Sequence, residues 1–224
     1  MGTDRVRMIK QSPWLWVAIH ITGWLPLLVL LVEGLTNHLT INPIQEIVQR
    51  LGRAAVYFLI ASLACTPFHT LTGWRELLRH RRTLGLYAFL YAALHFYTIV
   101  AVDYGFNWQQ LQDLIFKKPY ALVGFTTGLI LLALTITSFD IWKKRLGKNW
   151  KRLHGLVYLA GLLAVVHYAW AKKGNIFTLS GDIIQPLIIG GIVIILLILR
   201  IPILKKWGLR FRQAVVAHHY KMTT

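Results

Sequence analysis

The chain is poor in acid, in charge of either sign and in cysteine. Among 224 residues only 8 are Asp or Glu, against 25 Lys or Arg, and charged residues make up 15%. A soluble domain carries about 25% charged residues and is about 45–50% apolar. Here the hydrophobic share is 56% and the mean hydropathy is +0.53. That much apolar surface cannot be buried in one small globule, which argues against a soluble enzyme, and it equally excludes a disordered or collagen-like chain. The single cysteine, Cys65, rules out an intramolecular disulfide and a cysteine-rich metal cluster. There is no glycine-rich phosphate loop and no room for a nucleotide-binding domain of the Rossmann type. No internal repeat is apparent.

What the chain has is long apolar runs. Six are read, at Trp14–Leu35, Ala54–Leu71, Thr83–Val102, Tyr120–Phe139, Leu153–Ala171 and Ile183–Leu204. Each is near the ~20 residues needed to cross a bilayer core. The second is short and ends in Thr66-Pro67-Phe68-His69, where Pro67 is expected to kink or end the helix. The first is too long for a cleaved signal peptide and lacks a small-residue cleavage site. The predicted architecture is all-α: a polytopic bundle of six transmembrane helices over residues 14–204. A cytoplasmic segment, 1–13, precedes it and a basic cytoplasmic tail, 205–224, follows. Lys and Arg divide 19 to 6 between the two sides, which places both termini in the cytoplasm by the positive-inside rule. The formal net charge of +17 is then topogenic charge on a rim that meets lipid, with no nucleic acid involved. A flavin-phosphate or partner site is the sharper reading of the same basic runs. The longest outer connection, Asp103 to Pro119, mixes Phe106, Trp108, Leu111, Leu114, Ile115 and Phe116 with polar residues, as a helix in the membrane interface would.

Ionisable residues inside membrane segments are costly and mark functional sites. His20, His69, His95, His154 and His167 fall within the predicted segments. At 1.5 Å per residue, His95 lies ~18 Å and His167 ~20 Å from the basic side, on helices running the same way. Two neutral imidazoles at one depth are what a six-coordinate haem iron needs. With one cysteine, such a haem would be held non-covalently. The alternative for each histidine is a hydrogen-bonded packing residue. His154 lies at the basic edge with His69 and loop residue His80, and His20 is ~9 Å into the first helix. His154 thus has several candidate partners and no single one. On a straight helix His154 and His167 point ~140° apart, so two haems stacked along one face do not follow.

A set of ordered strings carries a family resemblance. They are Gly52-Arg53, Thr66-Pro67, Arg81-Arg82-Thr83-Leu84-Gly85-Leu86 running to His95, and Lys118-Pro119-Tyr120. The strongest runs from Leu146-Gly147-Lys148-Asn149-Trp150 through His154 to His167-Tyr168-Ala169-Trp170. From about residue 14 to 205 the chain resembles the MsrQ (YedZ) family, within the ferric-reductase-like transmembrane group that includes the NADPH oxidase haem domain. The resemblance implies a haem-bearing subunit in a bacterial inner membrane, supporting repair of oxidised methionine. It implies electrons drawn from the quinone pool, or a cytoplasmic flavin donor, and delivered to MsrP, a periplasmic molybdopterin-containing methionine sulfoxide reductase. It implies b-type haem and FMN as cofactors, and places the three family haem histidines, the iron ligands, on His95, His154 and His167. NADPH oxidases carry a further inner histidine 14 residues before the counterpart of His95. Here that position is Arg81, which favours one well-ligated haem, or a second with an irregular partner such as His20 or His69. Arg81 and Arg82 match a family pair associated with flavin, and paired guanidiniums can hold a phosphate bidentately. Arg53 is a candidate propionate partner at the outer rim, and His20 and His69 are also candidate quinone contacts.

The expected role is therefore an electron-transfer subunit rather than a catalytic one. The alternatives are a metal reductase that reduces ferric ion at an outer haem and, in a different class, a haem-free transporter or structural membrane protein. Glu33 is the one deep acidic residue a transporter could use.

Overall fold

The computed structural model describes residues 12–172 and 184–201. The segment 1–13, up to residue 11, and the tail 205–224 lie outside the described residues, as does the sixth apolar run beyond Ile201.

The described residues form helices and no strand. In order they are α1 (Pro13–Leu35), α2 (Pro43–Thr72), α3 (Glu76–Tyr97), a π-helical continuation (Thr98–Asp103), α4 (Trp108–Lys117) and α5 (Pro119–Ile136). Then come α6 (Asp140–Leu146), α7 (Lys148–His154), α8 (Leu156–Ala171) and α9 (Ile184–Ile198). Five stretches are long and apolar enough to cross a membrane: Pro13–Leu35, Pro43–Thr72, Glu76–Asp103, Pro119–Ile136 and Lys148–Ala171. Ile184–Ile198 is a shorter apolar helix. This is a multi-pass membrane protein.

The helix ends follow from local chemistry. Asn42 caps α2 by accepting from Gln45 N at 3.2 Å, with Pro43 in the first turn. Gly73 ends it in the left-handed region at φ 78°, its N–H donating to the His69 carbonyl. Asn107 caps α4 by accepting from Gln110 N at 3.1 Å. In α4 Leu111 is buried while Trp108 and Phe116 are exposed, the amphipathic pattern expected of that connection.

α2 runs through the middle of the bundle. Leu59 and Leu63 on it, Ala88 and Tyr91 on α3 and Ala160 on α8 form the tightest part of the core. Gly161 lets three helices meet, since a Cβ there would stand 3.0 Å from Leu63 and 3.7 Å from Val193 of α9. α1 is attached more lightly. Its Gly23 packs on the Tyr87 ring and its carbonyl accepts from the Tyr91 hydroxyl at 2.6 Å.

The second helix is longer than the apolar run read for it. Pro67 does not end the second helix, which is 30 residues long and continues through it. Proline has no N–H, so the Leu63 carbonyl one turn earlier loses its intrahelical donor. Arg200, just past α9, supplies one: its guanidinium donates to the Leu63 carbonyl. Such rescue by a neighbouring element is how a membrane helix tolerates proline. A single residue, Gly155, separates α7 from α8, and at φ −67° and ψ −23° it stays in the right-handed helical region.

Candidate functional site

The hairpins α2–α3 and α5–α8 are built alike around one histidine each. The Nδ1 of His95, near the end of α3, lies 2.8 Å from the Val48 carbonyl of α2. The Nδ1 of His167, near the end of α8, lies 2.7 Å from the Tyr120 carbonyl of α5. Each histidine is 47 residues from its acceptor, and in each hairpin a glycine follows the acceptor by one helical turn. A Cβ at Gly52 would stand 3.2 Å from His95 Nδ1, and one at Gly124 2.6 Å from His167 Nδ1. The two glycines are thus the floors on which the imidazoles rest. The arrangement amounts to a repeat at the level of the site, although none is apparent in the sequence.

A carbonyl can only accept, so both rings carry their proton on Nδ1 and present a bare lone pair on Nε2. Nε2 of neither ring has a hydrogen-bond partner among the described residues. The two rings lie side by side with centres 6.2 Å apart and planes at 81°. Two imidazoles sharing one iron, with metal–nitrogen bonds of about 2.0 Å, place their ring centres about 6 Å apart. A pair at this separation would suit two nitrogens held by one porphyrin iron. Among the described residues no group of three or more His, Cys, Asp or Glu side chains could hold a metal ion. Phe96 of α3 packs on Phe125 of α5 at 5.9 Å and joins the two hairpins beside the pair.

The other sequence-predicted residues lie elsewhere. Arg53 is half-buried next to Gly52. His154 stacks on Trp150 at 4.1 Å, and its Nε2 meets Thr137 Oγ1 at 3.1 Å. The Thr137 proton goes to the Ala133 carbonyl at 2.7 Å, so His154 Nε2 donates and its free lone pair is on Nδ1. Trp150 Nε1 donates to the Thr137 carbonyl at 2.8 Å, which locks the cluster. No ring contact joins His154 to His20 or His69 among the described residues. His20 bonds the Tyr87 hydroxyl through Nδ1 at 2.7 Å and packs on Trp16. His69 keeps a buried Nδ1 with no partner. Arg81 lies close enough for its charge to act on His154, whereas Arg82 is exposed, over the Phe139 ring at 5.4 Å. Glu33 is paired with Arg50, which also bonds Glu46; it is not a free acid in the bundle.

Sequence reasoning did not find Gly124, the Val48 and Tyr120 carbonyls or Thr137. Backbone acceptors carry no residue signature, and glycine is common in membrane helices.

Comparison with known proteins gives concordant results. The family model of the ferric reductase like transmembrane component matches residues 51–165, a span that takes in His95 and His154 and ends just before His167. The protein-methionine-sulfoxide reductase haem-binding subunit MsrQ of Xanthomonas euvesicatoria pv. vesicatoria is 42% identical over 165 residues, 74% of this chain and 72% of that protein. The subunit of the same name from Herminiimonas arsenicoxydans is 41% identical over 184 residues, 82% of each chain. That of Xanthomonas oryzae pv. oryzae is 44% identical over 156 residues, 70% of this chain and 68% of the other.

Proposed function

The chain belongs to the MsrQ haem-binding subunits of the ferric reductase like transmembrane family, and from that premise we propose that it is the electron-transfer subunit serving an MsrP-type catalytic subunit, with b-type haem held by His95 and His167. The observation that carries this reading is the pair of imidazoles, 6.2 Å apart, each with its proton committed to a backbone carbonyl.

Bound haem supplies one-electron transfer. The chain's own residues hold and tune it. The Val48 and Tyr120 carbonyls fix the tautomer and raise the basicity of each Nε2, as outer partners of ligating histidines do. Gly52 and Gly124 let each ring lie flat against the neighbouring helix. Arg53 serves a propionate. At the basic end, His154 with its free Nδ1 belongs to the inner cofactor site, and Arg81 serves the phosphate of FMN, with Arg82 on the exposed rim beside it. His20, with its Tyr87 bond and the exposed Trp16 beside it, and His69 are the contacts for the quinone pool. Both termini are cytoplasmic, the membrane is the bacterial inner membrane, and electrons pass outward to a periplasmic methionine sulfoxide reductase.

A pyridine haemochrome spectrum of the purified protein tests the premise, with b-type haem expected. His95→Ala should remove the low-spin bis-histidine signal while the protein stays inserted. Full haem content and an unchanged Soret band in that variant would overturn the assignment.

A further inference from the structure

Arg200 is absorbed neither by the histidine pair nor by the flavin assignment. A topogenic arginine at a helix end would extend toward water. Arg200 turns inward instead. One guanidinium nitrogen donates to the Leu63 carbonyl and another to the Tyr158 hydroxyl at 2.6 Å, and the cation lies 4.8 Å from the centre of the Tyr158 ring. Its Nε is buried without a partner.

A second arginine stands beside it. Ser62, the residue before Leu63, donates to the main-chain carbonyl of Arg81 at 2.9 Å, so adjacent residues of α2 touch the backbone of Arg81 and the guanidinium of Arg200. The charge of Arg81 acts on Arg200, on Cys65 and on His154. Neither arginine has a carboxylate partner: the ion pairs among the described residues join Arg50 to Glu33 and Glu46, and Lys117 to Asp113. A carbonyl and a phenol satisfy hydrogen bonds but neutralise no charge. Two half-buried guanidiniums gathered at one end of the bundle without a counter-charge repel, and an anion bound there would offset that repulsion. The remaining buried polar atoms without partners, Thr66 Oγ1, His69 Nδ1 and Ser138 Oγ, are at this same end. Thr66 is one turn along α2 from Leu63. The outer histidine pair has no such unmet groups on its Nδ1 side.

We propose that Arg81 and Arg200 together bind an oxyanion of a redox cofactor, a phosphate or a carboxylate, between α3 and the end of α9. This rests on the cofactor-bearing role given above and deepens it: the inner partner of Arg81 is Arg200 from the last helix, while Arg82 faces outward. FMN offers a phosphate and an inner haem offers propionates. Both present the same chemistry to the two forks.

The test uses the full-length protein in detergent, with R81Q, R82Q, R200Q, R200K and Y158F. Haem is measured as pyridine haemochrome, and flavin by titrating flavin-stripped protein with FMN and with riboflavin. R81Q and R200Q should each weaken the same cofactor about tenfold or more, as loss of a charge-assisted hydrogen bond does. R82Q should weaken it far less, and R200K should recover part of the loss. If the affected cofactor is FMN, with riboflavin indifferent, the oxyanion is the phosphate. If haem per protein falls while FMN is retained, it is a propionate. Y158F removes a hydrogen bond of Arg200 but not its charge. It should keep the cofactor, which separates binding from folding. R200Q that matches wild type in both haem and FMN sinks the inference and leaves the haem assignment standing. A wild-type protein without haem that still binds FMN through Arg200 does the reverse.

Discussion

The two imidazoles are placed by residues with no reactivity of their own, and the glycines are where this can be measured. A Cβ at position 124 would stand 2.5 Å from His167 Cε1, whereas one at position 52 would stand 3.2 Å from His95 Nδ1. The first is an overlap that the ring can relieve only by leaving the Tyr120 carbonyl; the second asks for a few tenths of an ångström. Gly124→Ala should therefore lower haem content severalfold and mix high-spin signal into the spectrum, while Gly52→Ala keeps low-spin haem with a shifted line shape. Electron paramagnetic resonance of the two variants, normalised to protein, reads the difference; equal spectra would show that the glycines do not set ring position. At this scale the sequence was legible only in part. Depth along two parallel helices picked out His95 and His167 because 1.5 Å per residue is a reliable ruler. It could not pick out what holds them. The acceptors are main-chain atoms 47 residues away, and a match confined to a glycine and a histidine in each hairpin is too sparse to appear as a repeat.

Among the elements, α2 departs furthest from its sequence reading, and it does so through tertiary contact. Local rules say that proline ends or kinks a helix, at a cost of ~3 kcal/mol in water. The cost is mostly an unmet carbonyl and a steric clash, and here the carbonyl of Leu63 is met by Arg200 from more than a hundred residues away. No local pattern could have shown that donor. A double-mutant cycle makes the coupling visible. Arg200→Ala alone should destabilise the protein by about 1–3 kcal/mol, the cost of a buried acceptor left unmet. In a Pro67→Ala background the restored N–H serves Leu63 instead, and the same substitution should cost less. A coupling of about 1–2 kcal/mol in thermal or denaturant unfolding in detergent is expected; additive costs would mean that Arg200 does not serve that carbonyl. Gly161, the crossing point of α2, α8 and α9, is likewise defined by contacts far apart in sequence.

For the whole molecule, the apolar runs and the basic bias were legible because a bilayer imposes both on any chain that crosses it. The described helices add an argument about sign. Ser12, at the start of α1, bonds Glu76 at the start of α3 through its N–H at 3.0 Å and its hydroxyl at 3.1 Å. This ties the beginning of the chain to the end that carries Arg75, Arg79, Arg81 and Arg82. At the opposite end Arg50 is matched by Glu33 and Glu46, and Lys117 by Asp113 at 2.8 Å. The 19 to 6 division of Lys and Arg thus understates the difference in unneutralised charge between the two ends. The proposed orientation follows, with the basic end in the cytoplasm and the histidine pair nearer the outer face. Two reporters decide it. A fluorescent protein fused after Thr224 should fluoresce, and alkaline phosphatase at the same point should be inactive, because its disulfides form only outside the cytoplasm. Alkaline phosphatase inserted in the turn at Gly105–Asn107, before α4, should be active. The reverse pattern would turn the molecule over, put His95 and His167 nearer the cytoplasm, and remove the basis for outward delivery of electrons to a periplasmic partner.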